Sequence, residues 1–291
     1  MIGELVRTTT KDKLKLQGFL SLPKDPTKKV VLHIHGLEGN FYENEFIDYL
    51  AEAVNEKGFA FCSVNTRGAG VLTDFVSDQE GTKSYSSVGA ARELVNDIIL
   101  DLQAWIDFLN KRGFNYFILS GHSLGTIKVV YYQATKQNPK VKGIIILEPV
   151  DYVSFAEQAA GKNFSQYLKQ AKKMINKGKG KELLPDNWHF LIKCSAQTYW
   201  DWFNKNSKAR IFEFNNPMKP SPLLKKIKIP VLAIMGDKDK YIKNPKTALE
   251  YLHQQLKYCT PVLIKNADHW YNKTIRKLRE EIKNWISSLS K

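Results

Sequence analysis

Long apolar runs are missing from this sequence of 291 residues. A membrane-spanning helix needs about 20 consecutive apolar residues, so we expect no stable membrane insertion. The opening Met-Ile-Gly-Glu-Leu lacks the basic and then apolar segments of a secretory signal. Cysteine is scarce: Cys62, Cys194 and Cys259 form an odd set without the spacing of a disulfide framework or a metal site. These absences favour a metal-free protein of the reducing cytoplasm.

Arginine is also rare, although the net charge is +15. The chain has 37 lysines and 7 arginines, and the lysines are spread over its whole length. The densest group of lysines lies within residues 169–181 and has few aromatic neighbours: Lys172, Lys173, Lys177 and Lys179. Single-stranded nucleic acid typically binds where basic and aromatic residues are interleaved. We interpret the charge as a solvated surface and expect no nucleic-acid partner, with an anionic partner as the alternative.

Apolar segments of strand length alternate with segments of helical periodicity. Strands are predicted over 4–9, 14–22, 30–35, 59–65, 116–120, 142–147, 229–235 and 260–264. Helices are predicted near 43–57, 89–111, 124–137, 244–257 and 273–289. This order is typical of an α/β fold with a mostly parallel central sheet flanked by helices on both faces. A ligand crevice is expected beyond the carboxyl ends of its strands.

About eighty residues separate strand 142–147 from the next strand. A bare loop of this length is uncommon in a compact domain. Two helix-like segments lie in it, at 155–177 and 188–204. We therefore predict a helical cap over 150–221, inserted into a core made of residues 1–149 and 222–291.

Residues 121–125 read Gly-His-Ser-Leu-Gly, a G-x-S-x-G pattern. An apolar run precedes the pattern and a segment of helical periodicity follows it. Strand, sharp turn and helix around this pattern are typical of a nucleophile elbow, in which the central serine is strained and exposed. The flanking residues must be small because the helix passes close behind the strand. We predict Ser123 as a nucleophile; a chance Gly-Ser turn is the alternative.

A serine hydroxyl is a poor nucleophile until a base accepts its proton. In elbow proteins the acid and then the base follow the serine along the chain. His269, in the segment Asn-Ala-Asp-His-Trp after an apolar run, has the expected position, and we predict it as the base. The other histidines lie in an early strand, in the elbow, in the cap or among polar neighbours: His33, His35, His122, His189 and His253. Of these, His189 is a candidate for substrate contact.

The acid is expected after the strand at 229–235, which is apolar enough to be buried on both faces. This strand leads into Gly-Asp-Lys-Asp at 236–239. We predict Asp239 as the acid, since the later residue lies further into the crevice. Asp237 is interpreted as a turn residue that hydrogen-bonds its own loop, and it remains the alternative acid.

Acyl transfer also requires donors for a developing oxyanion. One donor is expected to be the backbone N–H of Leu124, the residue after the nucleophile. The second is expected from the loop after the early strand, where the sequence reads His-Gly-Leu-Glu-Gly at 35–39. We predict the N–H of Leu37, because Gly36 allows the backbone to approach a substrate closely.

Together, these segments and Asn-Thr-Arg-Gly-Ala-Gly at 65–70 resemble the serine esterases and lipases of the α/β-hydrolase superfamily. The segment Gly-Asn-Phe-Tyr-Glu-Asn at 39–44 is similar to a bacterial and fungal subgroup, some fungal members of which hydrolyse siderophore esters. The His-Gly and Gly-His-Ser turns are similar to those of cinnamoyl and feruloyl esterases. The resemblance implies a triad and two oxyanion donors at the residues already named: Ser123, Asp239, His269, Leu37 and Leu124.

One departure from this family concerns residues 147–151, Leu-Glu-Pro-Val-Asp. A carboxylate is expected there near the mouth of the site, where members of the family ordinarily have a neutral or apolar residue. The sequence therefore does not indicate whether the substrate is charged.

Aromatic residues are frequent in the predicted cap. Most are expected to pack the cap onto the core. We expect at least one of Trp200, Trp202 and Phe203 to line an apolar pocket for the acyl or aryl part of an ester. Phe41 and Tyr42, beside the oxyanion loop, are comparable candidates.

The resemblance implies a carboxylic ester hydrolase that acts on a small-molecule ester without a cofactor or metal. An acyltransferase, an amidase or peptidase using the same triad, and a non-catalytic ligand-binding protein on this fold are the alternatives. A complete serine, aspartate and histidine set favours an enzyme over a receptor. The oligomeric state and the natural ester are not indicated.

Overall fold

A computed structural model describes residues 2–79, 82–185 and 192–289. Its main sheet has eight strands among these residues: β1 Glu4–Thr9, β2 Lys15–Ser21, β3 Lys29–Ile34, β4 Ala60–Val64, β7 Tyr116–His122, β8 Val141–Leu147, β9 Val231–Gly236 and β10 Cys259–Ile264. Their order across the sheet is β1-β2-β4-β3-β7-β8-β9-β10. Only β2 runs against its neighbours, so the sheet is mostly parallel, as predicted.

Eight α-helices cover both faces of this sheet in the described residues. They are α1 Phe46–Glu56, α2 Asp97–Lys111, α3 Leu124–Lys136, α4 Tyr152–Ala160, α5 Phe164–Asn176, α6 Ala196–Phe203, α7 Pro245–Gln255 and α8 Ile275–Ser288. Helices α1 and α8 pack on one face, against residues such as Val31, Phe61 and Ile118. Helices α2, α3 and α7 and the helices between β8 and β9 pack on the other. Because side chains alternate along a strand, buried strands supply both cores.

The prediction missed one element and misplaced the ends of others. An antiparallel hairpin, β5 Asp74–Gln79 and β6 Thr82–Ser87, lies between β4 and α2. Its alternating polar side chains gave no strand signal, since much of β6 is exposed. The helix predicted from residue 89 begins only at Asp97, because Gly89 has φ 76° and its N–H bonds the Arg67 carbonyl.

Between β8 and β9 the chain forms α4, a short 3-10 turn at Gly161–Asn163, α5 and α6. The single helix predicted over 155–177 is thus divided, and Gly161 has φ 53° at the division. The helix predicted over 188–204 starts at Ala196, with the Ser195 side chain accepting a hydrogen bond from the Thr198 N–H. Residues 188–191 of that prediction, His189 included, lie outside the described residues.

No helix in the described ranges is both long enough and apolar enough to cross a membrane. Cys62 and Cys194 are buried, Cys259 is half-buried, and all three are free thiols. Burial raises the pKa of Cys194 to about 12, so this thiol stays protonated and unreactive at neutral pH.

Candidate active site

Ser123 connects β7 to α3 with a strained backbone, φ 53° and ψ −121°. A non-glycine residue keeps such a conformation only when its surroundings impose it. The flanking glycines show how this happens. A Cβ atom at Gly121 would lie 2.3 Å from the Gly125 carbonyl oxygen, and one at Gly125 would lie 2.3 Å from the Ile34 carbonyl oxygen. The G-x-S-x-G pattern therefore has a steric cause: the backbones of β3, β7 and α3 meet at the serine.

His269 and Asp239 lie side by side in the loops that follow β10 and β9. The His269 Nδ1 atom is 2.6 Å from Asp239 Oδ2, and both residues are 5% exposed. Asp239 Oδ1 accepts a second hydrogen bond from the Tyr241 N–H at 2.7 Å. Burial alone would raise the pKa of the Asp239 carboxyl, but the hydrogen bond and charge of His269 outweigh it and lower this pKa. The carboxylate therefore stays ionised beside the imidazole.

The loop after β3 passes directly against Ser123. A Cβ atom at Gly36 would lie 3.1 Å from the Ser123 Cβ. Leu37 lines the same cavity as Ser123. Leu124 is the first residue of α3, where a backbone N–H has no acceptor within the helix. Both expected oxyanion donors thus belong to segments that border Ser123.

Buried polar side chains connect this loop to α3. The Nδ1–H of His35 donates to the Gly36 carbonyl at 2.8 Å, and its Nε2 accepts from the Thr66 N–H at 3.1 Å. Lys128, fully buried on α3, donates to Thr66 Oγ1 at 2.8 Å and to Glu93 Oε1 at 2.7 Å. Burial and the Lys128 charge lower the pKa of His35, so the imidazole is neutral. The network holds the loop at a fixed distance from the helix.

Two further histidines are buried and are suited to structural roles. Burial lowers the pKa of His33 to about 3, and its Nδ1 lies 3.0 Å from Ser120 Oγ. Burial also lowers the pKa of His122, so its neutral ring can donate from Nε2 to the His269 carbonyl at 2.7 Å. His122 therefore fixes the loop that carries His269.

A cavity of about 160 Å³ opens over Ser123 and His269. Its wall combines the oxyanion loop, the elbow and four aromatic side chains: Tyr152, Phe155, Tyr241 and Trp270. Two carboxylates also line it, Glu38 and Glu43. Burial raises the pKa of both carboxyls above the ordinary glutamate value. Among its described lining residues there is no lysine or arginine, although the chain carries a net charge of +15.

These aromatic residues are not the ones expected from the sequence. Tyr42 is 69% exposed, and neither it nor Phe41 lines the cavity. Trp200 lies under the Lys172 ammonium, 5.0 Å from the ring centre, and is also outside. Trp202 and Phe203 are buried around a smaller cavity of about 20 Å³, behind a wall formed by the oxyanion-loop and elbow leucines. These two side chains can therefore shape the site only from the second layer.

The sequence signal for the observed lining was adjacency to Asp239 and His269. Tyr241 follows Asp239 by two residues, and Trp270 directly follows His269. The Tyr241 and His269 ring centres are 4.7 Å apart, and those of His269 and Trp270 are 5.2 Å apart. The loops that carry Asp239 and His269 also bring the neighbouring residues to the cavity. The number of aromatic residues in the predicted cap does not indicate this.

The carboxylate expected near the mouth in residues 147–151 is not there. Glu148 is fully buried behind Asp239, and Asp151 caps α4 by accepting the Ser154 N–H at 3.1 Å. The carboxylates at the cavity are instead Glu38 and Glu43, from the loop after β3. The prediction of a carboxylate near the site was therefore wrong about the loop: the carboxylates belong to the loop after β3.

Asp237 is half-buried and does not bond within its own loop as expected. Its Oδ1 accepts the Asn266 N–H at 2.6 Å and so links the loop after β9 to the loop after β10. Both loops carry a member of the His269 and Asp239 pair. Asp237 therefore aligns the loops, and Asp239 contacts the imidazole.

Glu148, Asp239 and His269 are close enough together to resemble a three-ligand metal site, with one polar atom of each within 4.8 Å of the others. The His269 Nδ1 and Asp239 Oδ2 atoms are only 2.6 Å apart. Two such ligands about 2.1 Å from a tetrahedral metal would be roughly 3.4 Å apart. The separation matches a direct hydrogen bond, so the donor set does not fit an ion.

Comparison with known proteins extends this picture over the whole chain. The family model described as "Protein of unknown function (DUF1749)" matches residues 8–287. No curated protein sequence matches. The structure described as "Ferulic Acid bound to Est1E from Butyrivibrio proteoclasticus" is similar to this one. It is 19% identical, with 98% of this chain and 99% of that chain covered and a TM-score of 0.70.

Two further solved structures have the same architecture. The α/β hydrolase GrgF from Penicillium sp. sh18 is 13% identical, with 99% of each chain covered and a TM-score of 0.68. The Pyrococcus furiosus esterase Pf2001 is 16% identical, with 99% of this chain and 90% of that chain covered and a TM-score of 0.61. At these identities the likeness concerns the fold, and the α/β-hydrolase fold predicted from the sequence is confirmed.

Proposed function

The chain belongs to the DUF1749 family of α/β hydrolases, and we propose that it is a serine hydrolase that cleaves carboxylic esters. One observation carries the proposal. Ser123, strained at a nucleophile elbow, lines a cavity together with His269, whose Nδ1 is hydrogen-bonded to Asp239. A strained serine that is half-buried at a cavity wall presents its hydroxyl to a ligand.

The proposed reaction begins with attack of Ser123 Oγ on the ester carbonyl. His269 Nε2 accepts the serine proton and later returns it to the leaving alcohol. Asp239 accepts the Nδ1–H, which leaves Nε2 free as the base, and it stabilises the imidazolium that forms. The N–H groups of Leu37 and Leu124 bind the oxyanion of the tetrahedral intermediate. Water then hydrolyses the acyl-enzyme by the same route, and these steps call for no cofactor.

The substrate class follows from the size and charge of the cavity. Pockets for drug-sized ligands have volumes of about 300–1,000 Å³, and this cavity has about 160 Å³. A short acyl group or one aromatic ring fits it. Four aromatic side chains favour an aryl or other apolar group, while Glu38 and Glu43 at the wall disfavour an anionic one. Est1E, described with ferulic acid bound, is a structural relative whose ligand is an aryl acid.

We also propose that residues 150–221 act as a cap over this cavity. Tyr152 and Phe155, on the first helix of the segment, belong to the cavity wall. Substitutions on this helix should therefore change the choice of acyl group more than the rate of the chemical step. The core would then consist of residues 1–149 and 222–291.

A fluorophosphonate probe tests the nucleophile, and a panel of p-nitrophenyl and aryl esters tests the substrate class. We expect the probe to label Ser123 and the Ser123→Ala variant to retain only background turnover, several orders of magnitude below the wild type. Ser288→Ala is the matched control, because Ser288 is exposed at the end of α8 and does not line the cavity. Unchanged turnover in Ser123→Ala, or labelling at another residue, would refute the assignment. Faster transfer to an added alcohol than to water would identify an acyltransferase.

A further inference from the structure

Glu148 is a buried acid that the proposed mechanism does not yet use. It follows β8, has φ 47°, and its side chain is fully buried. Its Oε1 accepts the Gly236 N–H at 2.7 Å. Its Oε2 accepts no hydrogen bond from any described residue. A buried oxygen in this state is costly for an ionised carboxylate.

The groups that face Glu148 do not supply a counter-charge for a second carboxylate. They are Asp239, His269 and Tyr271, from the loops after β9 and β10. Polar atoms of Glu148, Asp239 and His269 all lie within 4.8 Å of one another. Burial and the Asp239 charge raise the pKa of Glu148 well above its ordinary value. Ionising two buried carboxyls this close together is unfavourable, so the pair favours a state with one negative charge and one proton.

The charge belongs on Asp239 and the proton on Glu148. Asp239 has the imidazole N–H and the Tyr241 N–H as donors, so its ionised form is stabilised and its pKa is lowered. Glu148 has the Gly236 N–H and the Tyr271 hydroxyl as donors, and together they do not outweigh burial and the Asp239 charge. In such a pair, the carboxyl whose ionised form has the stronger hydrogen-bond donors ionises first.

We propose that Glu148 is a positioning residue of the triad, which as a neutral carboxylic acid donates a hydrogen bond from Oε2 to the Asp239 carboxylate. This role rests on the proposed function. Asp239 then receives three donors, His269 Nδ1–H, Tyr241 N–H and Glu148 O–H, which fix both of its oxygens. The third donor also withdraws negative charge from Asp239 and so limits how strongly the triad holds a protonated imidazole, which cannot act as a base.

Two substitutions separate the donor role from packing. Glu148→Gln keeps an amide oxygen for the Gly236 N–H and an amide N–H for Asp239. Glu148→Leu keeps much of the volume but removes the donor. We expect Glu148→Gln to retain kcat within about threefold, and Glu148→Leu to lose about tenfold or more in kcat with KM nearly unchanged. In Glu148→Leu the acid limb of the pH–rate profile should move up by about half a pH unit or more.

The proton itself is measured without any turnover. An infrared difference spectrum, wild type minus Glu148→Gln at pH 7, should show the carbonyl stretch of a protonated carboxylic acid. Its absence would overturn the proposal, as would equal losses in the Gln and Leu variants with an unmoved acid limb. One bound metal per chain in the purified protein would also overturn it. Failure of the proposed function would appear differently, as a wild type that neither turns over esters nor reacts with the fluorophosphonate.

Glu148→Leu can also destabilise the fold, so thermal melting accompanies each kinetic measurement. A folded Glu148→Leu protein with wild-type kcat and pH profile overturns the positioning role. If it does not fold, Glu148→Met provides the second variant without a donor, with the same expected loss of kcat and shift of the acid limb. Recovery of both properties in Glu148→Gln alone supports the proposal.

Discussion

Replacing Asp239 by asparagine tests the proposed triad with the smallest change of shape. Both carboxylate oxygens of Asp239 accept hydrogen bonds, Oδ2 from His269 at 2.6 Å and Oδ1 from the Tyr241 N–H at 2.7 Å. Asparagine has only one acceptor. If its NH₂ faces His269, Nδ1 must become the acceptor and the proton moves to Nε2, where the base is needed. If it faces Tyr241, two donors are opposed in a buried site.

The expected loss of turnover is large in either orientation. In the template triad the same substitution reduces kcat about 10⁴-fold through the wrong imidazole tautomer. For Asp239→Asn we expect about 10³–10⁴-fold at neutral pH, equivalent to roughly 4–5.5 kcal/mol of transition-state stabilisation. The assay is kcat for a p-nitrophenyl ester, with thermal melting to show that the variant is folded.

Asp237→Asn is the matched control, since it is the same chemical change two residues away. Asp237 is half-buried, and its Oδ1 accepts one backbone N–H, from Asn266 at 2.6 Å. An asparagine keeps that acceptor, so turnover should stay within a few-fold and stability should change by less than about 1 kcal/mol. A folded Asp237→Asn protein without activity, together with an active Asp239→Asn, would show that the wrong carboxylate is assigned to the imidazole.

Three further outcomes are expected. Gly125→Ala places a Cβ 2.3 Å from a backbone carbonyl oxygen and should cost more than about 3 kcal/mol in urea unfolding, whereas Gly180→Ala, with no atom nearer than 3.4 Å, should change stability by less than about 0.5 kcal/mol. The pKa of His33 is about 3 in the folded protein, below its value of about 6.5 in the unfolded chain. Its contribution to the free energy of unfolding is therefore fully present above pH 6.5 and is lost as pH falls toward 3, by up to about 1.4 kcal/mol per pH unit. His33→Asn should flatten this part of the stability profile measured by denaturant unfolding, and an unchanged slope would contradict the argument. The double variant Lys173→Gln, Lys177→Gln removes two charges from the exposed lysine group and should leave ester turnover and its salt dependence unchanged. A salt-sensitive loss of turnover would contradict this and would show that these charges recruit an anionic substrate.

The middle of the sheet could be predicted because its strands are buried on both faces. β3, β7 and β9 each contain an unbroken apolar run of three or more residues, which the sequence displays directly. The hairpin β5–β6 could not, since the side chains of β6 alternate only between exposed and half-exposed. The start of α2 was missed for a related reason: a tertiary hydrogen bond from Gly89 to Arg67 replaces the first turns of the expected helix.

Positions along the chain also indicate which edge of the sheet carries the candidate catalytic residues, but not what surrounds them. The order serine, acid, base follows from the order of parallel strands, because each of Ser123, Asp239 and His269 lies at the carboxyl end of a strand or in the loop after it. The cavity wall depends on side-chain directions in several loops. Tyr241 and Trp270 reach it, whereas Tyr42 is 69% exposed although it lies in the loop region beside the oxyanion donor.

Strained backbone conformations are concentrated at the edge of the sheet where the parallel strands have their carboxyl ends. Glu38, Ser123, Glu148, Asn266 and Tyr271 all have positive φ, between 47° and 64°, and all follow a strand at its carboxyl end. Each such residue costs about 1–3 kcal/mol and persists only where its surroundings determine it. The parallel strands and their two apolar cores provide that constraint on one side, while the opposite edge carries no comparable cluster among the described residues. Two of the five, Ser123 and Glu38, line the cavity, and Glu148 lies against Asp239. Strain, buried charge and the cavity therefore coincide where the proposed reaction takes place, and a structural explanation of the G-x-S-x-G turn alone would leave the other four strained residues without a cause.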